Sequence, residues 1–209
     1  MVQNGQRIEV HYTTESANYY RLTTLTVSLG QEALKMQFNK IFTPGLLHYV
    51  LGYKTVLDEL KTLKENKCIS ARQWCNLFPA VPEWVSADNF DVSLLTVLLR
   101  NICSLPTPPK GWDNLPSSED TTLSADIVRI SYYRNELAHL VKRSIDNETF
   151  ENYWKIVSEA VVRLLGESQR PVINHLKKDP LEPKVAEADY NVSLLRGDKG
   201  EEGQETQTG

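Results

Sequence analysis

From about Ser16 to Phe42 the apolar residues Leu22, Leu25, Leu29, Ala33 and Met36, followed by Phe38 and Ile41, arrive mostly at three- and four-residue steps. That period is the 3.6-residue turn of an amphipathic α-helix. Related patterns recur along the chain, and no segment of useful length alternates apolar and polar residues as a half-buried strand would. No internal repeat is present either. Such a chain buries its apolar surface by packing helix against helix, so the expected fold class is all-α.

Punctuation sets the other elements. Pro44 fits the first turn of a second helix, read here as Gly45 to Lys64, with Leu46, Leu47, Val50, Leu51, Leu57, Leu60 and Leu63 on one broad face. Ser70 is placed to cap a short helix that Pro79 ends, and Asp91 to cap a helix running to Ile102. That helix is apolar nearly all round, which predicts a central position. The prolines of Leu105–Trp112 and the polar stretch to Asp120 make a long loop, anchored by Trp112. Ser124 is the expected cap of the next helix, with Asp126 in its first turn. Asp146 caps a last long helix to Leu165, Gly166 terminates it, and Pro171 opens a short helix to Lys178.

Charge divides the chain. Asp179 to Gly209 holds eight acids against Lys184, Arg196 and Lys199, a net of −5, so the total of −4 leaves residues 1–178 at +1. The expected organisation is a polar lead-in over 1–15, a helical domain over 16–178 and a disordered acidic tail over 179–209. A near-neutral body neither requires nor excludes a nucleic-acid partner; a local basic patch would have to supply the attraction. Cys68, Cys75 and Cys103 form no CxxC pair, and His11, His48, His139 and His175 are scattered, so no metal and no cofactor is expected. The absence of a signal-like apolar stretch and of a membrane-length run, with sparse reduced thiols, leads to the expectation of a cytoplasmic protein with no membrane contact.

The chemistry concentrates in Arg134-Asn135-Glu136-Leu137-Ala138-His139. Arginine offers a permanently charged fork to phosphate oxygens, and histidine moves protons near neutral pH. Five residues apart, Arg134 and His139 lie roughly 140° from each other on a straight helix, whereas Asn135 and His139 share a face. Bringing all three together requires the helix to end or kink near His139, the arginine to wrap round, or a symmetric partner to contribute its own copy. The same residues also suit a plain structural role, with Arg134 paired to Glu136 or Asp126 or capping carbonyls, and the amide and imidazole finishing a helix end. Tyr132, Tyr133 and Trp154 either stack on bases or belong to the core. Arg129, Lys142 and Arg143 either extend a phosphate track or solvate the surface, and Glu32 either orients the arginine or lies exposed.

An arginine followed by a polar residue, with a histidine after four intervening positions, resembles the hallmark of the HEPN superfamily, the "higher eukaryotes and prokaryotes nucleotide-binding" helical domains. The setting resembles the subgroup of the DAZ-interacting zinc-finger ubiquitin ligase and related animal immune proteins. The supporting stretches are Trp74–Pro79, Ser93–Asn101, Gly111-Trp112, Ala125–Arg129, Tyr133–His139 and Phe150–Trp154. Together the likeness covers about residues 16–168.

The resemblance implies an HEPN-like helical bundle that forms a homodimer with the two motifs facing each other. It implies a metal-independent endoribonuclease acting on single-stranded RNA, with Arg134, Asn135 and His139 as the catalytic set. His139 would serve as base toward the ribose 2′-hydroxyl or as acid toward the leaving oxygen. Arg129, Tyr133, Lys142 and Arg143 are the residues expected to bind RNA. The alternative it leaves open is a non-catalytic RNA-binding or dimerisation module in innate-immune or ubiquitin signalling.

Overall fold

The computed structural model describes residues 13–178, and every regular element among them is helical. The acidic stretch expected to be disordered lies outside the described residues. The first helix starts at Thr14, two positions ahead of the expected boundary, because the Thr13 hydroxyl accepts from the Ser16 amide at 3.2 Å. It runs as α1 (Thr14–Thr23), a π-helical segment (Thr24–Leu29) and α2 (Gly30–Ile41). Threonine hydroxyls occupy carbonyls around the wide turn: Thr24 donates to Tyr20 O and Thr26 to Leu22 O, at 3.0 and 2.9 Å.

The expected second helix is not continuous. It comprises a 3-10 turn (Pro44–Leu46), α3 (Leu47–Gly52) and α4 (Lys54–Glu65), with Tyr53 extended between the last two. The reason is angular. Leu51 and Leu60 are both buried, yet a nine-residue step leaves them about half a turn apart on a straight helix. Breaking at the weak Gly52 lets both face inward.

Local caps set the next elements. Around α5 (Ala71–Leu77), Ser70 and Gln73 form a reciprocal capping box. The Gln73 amide also donates to both oxygens of Asp91, the N-cap of α6 (Val92–Asn101). Two 3-10 turns, Pro82–Trp84 and Ala87–Asn89, fill the connection. Helix α6 is buried through Leu94, Leu95, Leu98 and Leu99, as its apolar sequence predicts. The long loop after it is tethered: Trp112 and Leu115 pack on the core, and Arg100 pairs with Asp113 at 2.6 Å.

Helix α7 (Leu123–His139) is capped by Thr122, not Ser124. Ser124 is buried within the first turn, its hydroxyl without a hydrogen bond. Helix α8 (Asn147–Leu165) begins at the Asp146 cap and ends at Gly166, whose φ of 102° a side chain would disfavour. Helix α9 (Arg170–Lys178) follows a 3-10 turn.

Directions follow from specific contacts. Asp126 near the start of α7 pairs with Arg163 near the end of α8, so these helices are antiparallel. Asn18 donates to Asn147 and Gln37 to the Leu164 carbonyl, so α1 and α2 run parallel to α8. The core lies between them, formed by Leu22, Leu25, Leu34, Phe38, Leu94, Leu98, Ile127, Ile130, Val157 and Val161. Gly30 is the point of closest approach: a Cβ there would stand 2.8 Å from Ile130 Cγ2. No described helix is long and apolar enough to cross a membrane.

Candidate phosphate-binding and proton-transfer site

Helix α7 carries the motif at its last turn, and the helix ends there. His139 is its final residue, and Leu140 departs in an extended conformation with ψ of 123°. This meets one of the conditions set by the angular separation of Arg134 and His139. The arginine also bends toward its neighbour: Nη1 donates to Asn135 Oδ1 at 2.9 Å. With that oxygen engaged, the Asn135 amide nitrogen remains as a donor. His139 is exposed and makes no hydrogen bond among the described residues. The structure therefore joins Arg134 to Asn135 and leaves the imidazole standing separately at the helix end.

The expected RNA-binding residues divide. Lys142 is exposed and Arg143 half-buried, and both lie on the Leu140–Asp146 connection that leaves the motif. Arg129 is not at the surface: it is 3% exposed, donates to Asp126 at 2.8 Å and reaches the Ser117 carbonyl. A buried guanidinium this well paired holds the long loop to α7 and has no surface to offer a phosphate. Arg163 completes the network from α8, contacting Asp126 at 2.6 Å, and Asp126 raises its pKa above the ordinary arginine value.

Tyr133 is likewise interior, at 3% exposure, with its ring 4.6 Å from Tyr153 and 5.3 Å from Tyr132. Burial, followed by the neighbouring Tyr153, pushes its hydroxyl up to about 12. It packs under the motif and cannot stack on a base. Trp154 is core, and Glu32 lies exposed, paired with Lys35 at 2.7 Å. Tyr132 retains a partly exposed ring.

Two grooves flank this end of the bundle. One, about 480 Å³, lies between α8 and α9; its charged walls are bridged by Glu159–Arg170 and Glu151–Lys177, each at 2.6 Å. The other, about 230 Å³, adjoins the motif and is lined by Glu136, Leu140, Ser144, Ile145, Asp146, Thr149 and Tyr153. Burial and then Glu136 raise the Tyr153 hydroxyl pKa, which places that carboxylate close to the ring. The motif spacing singles out Arg134, Asn135 and His139 but carries no sign of this groove, because Tyr153 and Ser144 come from elements that only folding brings beside Glu136.

The connection after His139 is fixed from the side of α1. The Ile145 amide donates to Glu15 O at 3.0 Å, and Asn18 donates to Ile145 O at 3.1 Å and to Asn147 Oδ1 at 2.9 Å. Helix α8, which follows it, is held in its first turns by Lys177 of α9, which reaches Glu151 and lies over the Phe150 ring. Among the described residues no group of three histidine, cysteine or carboxylate side chains is placed to hold a metal ion.

Comparison with known proteins gives a consistent picture. A family model described as the DZIP3/hRUL138-like HEPN matches residues 44–189. The E3 ubiquitin-protein ligase DZIP3 of Homo sapiens is 30% identical over 166 residues, which is 78% of this chain and 14% of that protein. The Mus musculus protein of the same name gives the same figures. The chain thus spans about a seventh of the length of these curated relatives. No solved structure matches.

Proposed function

Since the chain belongs to the DZIP3/hRUL138-like HEPN family, we propose that it is a metal-independent endoribonuclease module that works as a homodimer on single-stranded RNA. The observation that carries this reading is the placement of Arg134, bonded to Asn135, and of an unengaged, exposed His139 at the free end of α7. In the proposed reaction the ribose 2′-oxygen attacks the adjacent phosphorus and the bond to the 5′-oxygen breaks. The product is a 2′,3′-cyclic phosphate and a free 5′-hydroxyl. His139 accepts the 2′-hydroxyl proton, and the same histidine of a second copy returns a proton to the leaving oxygen, because one imidazole cannot do both in one step. Arg134 stabilises the charge that builds on the phosphoryl oxygens, Asn135 positions a phosphate oxygen through its free amide donor, and Lys142 and Arg143 hold the flanking backbone.

The test is cleavage of 5′-labelled single-stranded RNA in EDTA by wild type and by His139→Ala. Wild type should leave cyclic-phosphate ends and spare the corresponding DNA, and the variant should be inert. Undiminished cleavage by His139→Ala would sink the mechanism.

One observation favours a second reading, a non-catalytic RNA-binding or dimerisation module: the relatives are named as ubiquitin-protein ligases, of which this chain matches 14%. On that reading RNA is retained without strand breakage, and Arg134→Ala weakens its retention.

A further inference from the structure

Glu136 lies inside the motif, yet neither the packing nor the proposed reaction uses it. Its side chain is exposed and engaged in no hydrogen bond or ion pair among the described residues. It lines the 230 Å³ groove at the end of α7 together with Leu140 and Tyr153. The Tyr153 ring is half-buried and backed by Tyr133, which holds it as a firm aromatic wall. The second carboxylate of the groove is already committed: the two oxygens of Asp146 accept from Thr149 N and Thr149 Oγ1, at 2.8 Å each. Glu136 is thus the uncommitted carboxylate of a small groove with an aromatic side.

That combination selects its ligand. A carboxylate in the groove repels phosphate oxygens, so a base enters and the backbone stays with Arg134. Single-stranded RNA offers unstacked bases that aromatic rings hold by their faces and polar groups read along their edges. A carboxylate only accepts hydrogen bonds, through two oxygens side by side. Guanine presents two adjacent donors, N1–H and the N2 amino group, to match them. Adenine and cytosine each set a ring-nitrogen acceptor beside their amino group, and uracil flanks its one imino donor with carbonyls. Each of these turns an acceptor toward Glu136 and is disfavoured.

We propose that the groove is a guanine subsite for single-stranded RNA, in which Glu136 reads N1–H and N2–H while Tyr153 stacks on the base, at the same end of α7 as Arg134, Asn135 and His139. This rests on the motif being an RNA site.

The experiment is fluorescence-anisotropy binding of the full chain, in EDTA, to short oligouridine strands carrying a single guanosine, inosine or adenosine. The guanosine strand should bind more tightly than the adenosine strand by on the order of tenfold, the discrimination given by one bidentate base contact. Inosine, which lacks the N2 amino group, should fall between them. Glu136→Gln should close the gap between guanosine and adenosine, because a carboxamide turns a donor of its own toward guanine. Equal binding of the three strands, or full preference retained in Glu136→Gln, overturns the subsite and leaves RNA binding by the motif standing. Failure of every strand to bind overturns both.

Discussion

Helix α7 holds two arginines five residues apart that end in opposite situations. Arg129 belongs to its inner half, where Ser124 to Ile130 are all buried, and shares Asp126 with Arg163. Arg134 belongs to its outer half, half-buried, with its guanidinium turned to the exposed Asn135. The difference lies in what each must satisfy. A guanidinium taken out of water needs a partner for its charge and its donors, and Arg129 finds a carboxylate and a carbonyl. One near the surface can keep donors directed at solvent or at a ligand. The same residue type on the same helix is built into the fold at one end and, in the proposed reaction, serves chemistry at the other.

Substitutions should separate the halves, and the largest effect belongs to the interior. Asp126→Ala removes the carboxylate shared by two arginines and strands a buried charge, so it should cost about 3–5 kcal/mol, read by urea denaturation. Arg129→Ala should cost less, because Arg163 still neutralises Asp126. If either variant unfolds at the wild-type midpoint, the inner network is not structural and the contrast collapses. Next in size is Gly30→Ala. Its new methyl meets Ile130 Cγ2 at 2.8 Å, on a β-branched side chain with little room to turn. Overpacking of about 1–3 kcal/mol outweighs the roughly 1 kcal/mol gained in helix propensity, leaving a net loss of about 1 kcal/mol. A stabilised variant would show that the α2–α7 contact is looser than described. The smallest stability effect belongs to the outer end: His139→Ala should stay within about 0.5 kcal/mol of wild type, while removing the proposed cleavage. A large loss of stability there would assign the histidine to folding.

Local signals were legible in the sequence, and non-local ones were not. Ser70, Asp91 and Asp146 were readable as caps, and Gly166 as a stop, because each acts on the backbone within a few positions. The same logic misplaced the start of α7: Thr122 and Ser124 are both hydroxyl residues, and only burial of Ser124 decides between them. The break at Tyr53 escapes a residue-by-residue count of leucines, since it appears only when Leu51 and Leu60 are required to share one core. The π segment keeps the helical apolar period through Leu25 and Leu29, so the wide turn that accompanies the Thr24 and Thr26 hydroxyl bonds leaves no mark in that period. Within the site, the angular separation of Arg134 and His139 left a helix end as one of several possibilities, and α7 does end at His139. The burial of Arg129 and Tyr133 could not be anticipated, because the Ser117 carbonyl, Arg163 and Tyr153 come from elements distant in sequence. Periodicity sufficed for the all-helical class, and the motif together with its flanking stretches for the family.

The contacts of α1 with the segment after His139, and of α9 with the start of α8, have a consequence for how this domain is wired. The chain enters the described structure at Thr13, one turn before the residues that grip Ile145 and Asn147, and it leaves at Lys178, next to the lysine that grips Glu151. Among the described residues, entrance and exit therefore converge on the pole of the bundle that carries the motif. The stretches that precede Thr13 and follow Lys178 are therefore attached at the pole that carries the motif. The domain is built like a plug whose leads emerge next to its pins.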